Sequence, residues 1–97
     1  METIEAIDVE NFASKIGISE EELLRKSLIS FIFNKLNEIK ASLFILQKKY
    51  KIQTIFEFEN LYKIGTINEE KSRHDFQLFD RLSFQYDTYK KFLKKIL

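Results

Sequence analysis

Two stretches of this 97-residue chain repeat large apolar residues at alternating spacings of three and four, and the chain contains no proline to interrupt them. The first set is Ile29, Ile32, Leu36, Ile39, Leu43, Leu46 and Tyr50. The second is Phe79, Leu82, Tyr86, Tyr89, Leu93 and Ile96. A repeat averaging 3.5 residues is shorter than the α-helical turn. It therefore holds one stripe of contacts only when two helices wind around each other with a left-handed twist. The simplest solution is an antiparallel hairpin, which places Tyr50 near Phe79 and Ile29 near Ile96.

Capping signals set the ends of the helices. Ser19 with Glu22 reads as a capping box flanked by Ile18 and Leu23 at staple positions. Glu20, Glu21 and Glu22 place negative charge at the positive end of the dipole. The long helix that follows runs from about Glu20 to Tyr50. Thr54 with Glu57 repeats the grammar for a shorter helix, with Gly65 as its left-handed C-cap. Asn68 followed by Glu69 and Glu70 opens a last helix to Ile96. Asp8 reads as the cap of a first short helix that Gly17 ends. Residues 2–7 are left as either a short strand or a tail. The expected fold is all-α: an antiparallel two-helix coiled-coil hairpin with short helices at its ends, one helical domain over residues 1–97, and dimeric.

Composition excludes several chemistries. There is no cysteine and one histidine, so disulfide scaffolds, thiolate catalysis and multi-histidine zinc sites are out. Two glycines are too few for a phosphate-cradling loop. The longest apolar run, Leu28 to Phe33, is interrupted by Ser30 and is far short of a membrane span. No signal peptide is visible, so the expected location is cytoplasmic. His74 follows Arg73, and adjacent helical positions point about 100° apart. Small helical ribonucleases of the HEPN group place an arginine four to six residues before their histidine. No arginine occupies that position before His74. Asp75 and Asp80 share no face, and Glu69 and Glu70 are accounted for by the dipole. We expect no enzyme, no catalytic residue, no metal site and no cofactor.

Charge is patterned in blocks. Residues 1–22 carry net −6, residues 23–56 net +6, residues 57–88 net −3 and residues 89–97 net +4, for a total of +1. Blocks of opposite sign satisfy each other within a fold or across a dimer, whereas a nucleic-acid binder shows one basic face. The alternative reading is a small DNA-binding regulator, because residues 12–28 share the turn grammar of helix-turn-helix proteins. That turn would present Glu20, Glu21 and Glu22 to phosphate, which opposes binding. Nucleic acid is therefore not the expected partner, and neither is a membrane.

Some apolar residues fall outside the seam. Leu24, Phe31, Phe44 and Ile45 do so on the first long helix, and Phe84 does so on the second. Burying a large side chain is worth about 1.5–3 kcal/mol, so leaving several in water is costly. These five are the expected partner-binding residues, exposed together as one patch larger than a monomer normally carries.

The chain also resembles a group of small helical proteins, mostly archaeal, encoded beside nucleases and treated as antitoxins of toxin–antitoxin pairs. The resemblance runs from Phe12 to the end. It is carried by Gly17-Ile18-Ser19-Glu20-Glu21-Glu22-Leu23-Leu24, by the long helix after it, by the segment Lys49–Glu59 and by Lys63-Ile64-Gly65-Thr66-Ile67. In those proteins a glycine follows the tyrosine, where this chain has Lys51. The resemblance implies a non-catalytic protein that binds and neutralises a protein toxin, alone or as a homodimer, through apolar helix faces.

Overall fold

The structure is a computed structural model that describes residues 5–97. Four helices follow in order, α1 (Ala6–Ile16), α2 (Glu20–Tyr50), α3 (Ile55–Lys63) and α4 (Glu69–Ile96), and the described residues contain no strand. Residues 1–4, part of the segment that could have been a strand, lie outside the described residues.

Local chemistry places the ends. Ser19 Oγ accepts from the Glu22 amide at 3.0 Å. Glu22 does not close the expected reciprocal bond, because its carboxylate pairs with Lys26 one turn on, at 3.1 Å. The full box forms at α3: Thr54 Oγ1 accepts from the Glu57 amide at 3.2 Å, and the Glu57 carboxylate accepts from the Thr54 amide at 3.2 Å. The same carboxylate also accepts from the Gln53 amide. Asn68 Oδ1 caps α4 by accepting from the Lys71 amide at 3.0 Å.

The first helix begins earlier than its expected cap. Glu5 is the N-cap, and Asp8 sits three residues inside, where its carboxylate accepts from the Glu5 amide at 3.2 Å. Asp8 thus supplies the return arm of a box rather than the cap.

Three turns end the first three helices with one left-handed residue each: Gly17 (φ 81°), Lys51 (φ 56°) and Gly65 (φ 70°). Gly65 lies one residue past the C-cap, Ile64. In each turn the next amide reaches back five residues, Ile18 to Ala13, Ile52 to Gln47 and Thr66 to Leu61, all at 3.0 Å. These bonds satisfy carbonyls that the helix leaves open.

The long helices α2 and α4 run antiparallel. At one end Arg25 Nε donates to the Ile96 carbonyl at 3.1 Å; at the other Lys49 and Tyr50 reach Asp75. The predicted seam forms the core in two blocks. Ile32, Leu36 and Leu93 are buried together, with Ile29, Tyr86, Tyr89 and Ile96 packed against them. Ile39, Leu46, Phe79 and Leu82 join Ile52 and Phe58 in the other block. Tyr50 packs in the same block as Phe79, and Ile29 in the same block as Ile96.

Phe58 delivers α3 into this core. Its ring is fully buried and meets Tyr50 at 4.5 Å, Phe76 at 5.2 Å, Tyr62 at 5.7 Å and Phe79 at 5.9 Å between centroids. Buried Ser72 ties α3 to α4 by donating within 2.9 Å of the Tyr62 hydroxyl. At the other end α1 folds onto the start of α2, with Ala13 buried.

The result is a thin plate, 60 × 31 × 17 Å, with a radius of gyration of 19.5 Å. A compact domain of this length has a radius near 12.5 Å. Accessible surface is 7860 Å². A folded monomer of this mass exposes about 5,900 Å².

Candidate functional site

The exposed surface includes many large apolar side chains. Seven of the ten phenylalanines are exposed: Phe12, Phe31, Phe33, Phe44, Phe56, Phe84 and Phe92. Away from α1 and α3 the hairpin is one helix thick, so each long helix shows two flanks and a back to solvent there. Neither α1 nor α3 covers Leu24, Phe31, Phe44, Ile45 or Phe84, and each is more than half exposed.

These five do not make one patch. At about 100° per residue, Leu24, Phe31 and Ile45 share a stripe along one flank of α2, whereas Phe44 lies about 140° around from Phe31. Phe84 lies on the back of α4, opposite the seam. The helix rotation therefore divides what apolarity alone had grouped.

Two surfaces result. On the first, Leu28, Phe31 and Ile32 of α2 face Tyr89, Phe92 and Ile96 of α4 across a groove of about 270 Å³ that has no charged lining residue. Its rims are basic at their edges: Lys35 Nζ lies 5.7 Å from the Phe31 ring centre and Lys95 Nζ 5.5 Å from that of Phe92. On the opposite surface a groove of about 420 Å³ runs between α2, α3 and α4 and includes Lys40, Gln47, Phe56, Ser83 and Asp87. Phe44 lines a neighbouring hollow with Gln47, Lys48, Lys51 and Gln53, and Lys48 Nζ lies 4.9 Å from its ring centre.

Leu28, Phe92, Phe33 and Phe56 were absent from the expected set although all four are about half exposed or more. The signal that finds them is rotation about the helix axis. Leu28 and Phe92 flank the seam, on the side that both helices turn to the same face.

One polar cluster joins elements. Asp75 Oδ2 accepts from the Tyr50 hydroxyl at 2.6 Å and from Lys49 Nζ at 2.7 Å. Hydrogen bonds from Lys49 and then Tyr50 hold the Asp75 carboxyl below its usual range, with burial opposing them. Burial, followed by the bond to Asp75, pushes the Tyr50 phenol up. The bond to Asp75 is the main cause of a raised Lys49. This cluster clamps the far end of the hairpin. His74 next to it is exposed, and among the described residues no three His, Asp or Glu side chains converge to hold a metal ion. No helix among the described residues is long and apolar enough to cross a membrane.

The start of α2 brings Glu20, Glu21 and Glu22 to the tip of the turn after α1. The segment that resembles a DNA-reading turn therefore ends in carboxylates.

A family model described as the Uncharacterized protein MJ0235 family matches residues 1–97. The chain belongs to that family. The match covers the whole chain, and the family's description states no activity. No curated protein and no solved structure matches the chain.

Proposed function

We propose that this protein is a non-catalytic protein–protein interaction module that docks a partner protein on its exposed apolar helix faces. One observation carries the reading: seven of ten phenylalanines stand in water on a plate-shaped chain whose surface is 7860 Å². That surface exceeds the norm for the mass by on the order of 2,000 Å². Full burial of such a ring is worth about 1.5–3 kcal/mol, and docking recovers the share that each half-exposed ring forgoes. Leu24, Phe31 and Ile45 supply anchors on one surface, Phe44 on the other and Phe84 on the back of α4, with lysines at the rims. The resemblance to antitoxins makes a protein toxin the partner to test first, with the chain acting in the cytoplasm to neutralise it. Duplex DNA is the competing ligand, and the three carboxylates at the start of α2 weigh against it.

The test is co-expression with the product of each adjacent gene, followed by purification at high salt. The reading predicts a stoichiometric protein complex that survives high salt, together with no measurable duplex binding. A chain that takes no partner protein and binds duplex DNA in a salt-sensitive way refutes it.

A further inference from the structure

We infer that the groove lined by Leu28, Phe31 and Phe92 is covered by a second copy of this chain, in a two-fold dimer. The inference deepens the docking reading, and it rests on that reading only for the premise that the apolar faces are covered. It names the occupant of one face.

Three observations select a second copy. The first is shape. The groove floor is apolar, and its rims, Phe31 and Phe92, are half-exposed knobs. One surface thus carries both the projection and the recess, which is what a two-fold contact between identical patches requires. The second is area. The surface excess, taken over the whole chain, is on the order of 2,000 Å². A standard interface needs about 800 Å² from each partner and an obligate homodimer about 1,000 Å² or more.

The third is charge. The bond from Arg25 to the Ile96 carbonyl holds the acidic start of α2 and the basic end of α4 at the same end of the hairpin. Three ion pairs occur among the described residues: Lys26–Glu22, Lys35–Glu38 and Lys49–Asp75. Only the last joins two helices, and it sits at the opposite end. On the groove side, Glu20 on the Phe31 stripe and Lys95 beside Phe92 have no ionic partner within the described residues. The basic block 89–97 thus makes no ion pair within the described residues. A two-fold axis along the hairpin lays α2 of one copy against α4 of the other with like ends together. Glu20 of each copy then lies at the same end as Lys95 of its partner, and Phe31 of one meets Phe92 of the other. A net charge of +1 leaves little repulsion to oppose this.

Sedimentation equilibrium of the purified full chain at tens of micromolar tests it. The expected result is twice the protomer mass. Phe31→Asp and Phe92→Asp should each weaken self-association by about tenfold or more, since a rim anchor is worth at least about 1.4 kcal/mol. Phe44→Asp and Phe84→Asp, on other surfaces, should leave it intact. Circular dichroism checks that each variant keeps its helices. The chain has no native cysteine, so a mixture of Phe31→Cys and Phe92→Cys chains provides a second measurement. It should form a covalent heterodimer under mild oxidation, faster than a mixture of Phe44→Cys and Phe84→Cys chains. A monomeric wild-type chain overturns the dimer, whether or not a partner protein is later captured. Self-association that ignores both rim substitutions, or that fails in Phe44→Asp instead, overturns it too. A wild-type dimer that captures no neighbouring gene product supports the dimer and refutes only the wider function.

Discussion

The Tyr50 hydroxyl donates to the Asp75 carboxylate at 2.6 Å, joining the last residue of α2 to the first third of α4. Lys49 donates to the same oxygen. A seam of apolar side chains fixes which faces of two helices meet, but neighbouring registers one heptad apart would bury similar residues. A directional bond between two side chains penalises those alternatives.

That bond has a pH signature. Lys49 and Tyr50 hold Asp75 below its unfolded value, so the carboxylate contributes stability that is fully present above the unfolded pKa of about 3.9. It is lost as pH falls through the folded value. Thermal unfolding followed from about pH 6 to about pH 2 should show a falling midpoint, and Asp75→Asn should flatten that fall. Identical acid limbs in the two proteins would remove Asp75 from the account. Tyr50 acts at the other extreme: its phenol is raised, so its contribution is present below the unfolded value of about 10 and lost as pH rises through the folded one.

Phe58 tests the core. Its ring is fully buried among Tyr50, Tyr62, Phe76 and Phe79. Phe58→Ala should cost about 3–5 kcal/mol in denaturant unfolding, and Leu82→Ala on the seam about 2–5 kcal/mol. Phe84→Ala, on the back of α4, should cost far less.

Lys51 should improve when replaced by glycine. Its φ of 56° is left-handed, a conformation that costs an L side chain about 1–2 kcal/mol and glycine almost nothing. Glycine gives back part of this as added freedom in the unfolded chain, so Lys51→Gly should stabilise by about 0.5–1 kcal/mol. A lower unfolding midpoint in this variant would show that the Lys51 side chain has a role of its own.

Ser19→Ala should lose about 0.5–2 kcal/mol, because the Glu22 amide at the start of α2 then lacks its acceptor. Glu22→Ala should cost little more than its exposed pair with Lys26, since Glu22 does not close the box.

Much of this fold was legible in the sequence because its determinants are local. Ser19, Thr54 and Asn68 each bond an amide three residues on, so cap and helix start appear together in the chain. The seam was legible because a 3.5 repeat has one geometric consequence. The start of α1 was misplaced because Glu5 and Asp8 share a box, and the acid inside the helix mimics a cap. The five off-seam residues were legible as exposed but not as divided. Phe31 and Phe44 are equally apolar, and only their separation of about 140° around α2 sends them to different surfaces. Asp75 left no signal at all: its partners lie on another helix, and nothing in the intervening chain points to them.

The central claim is that the exposed phenylalanines are docking anchors. Fluorine NMR of the chain carrying fluorinated phenylalanine, alone and in the salt-resistant complex, tests it most directly. In the free chain Phe58 and Phe79 should be insensitive to replacing H2O with D2O, and the signals of Phe44, Phe56 and Phe84 should shift. On complex formation at least one of these exposed rings should lose that shift, and the two core rings should not change. Every exposed ring remaining in water, in whatever complex the chain forms, would contradict the claim.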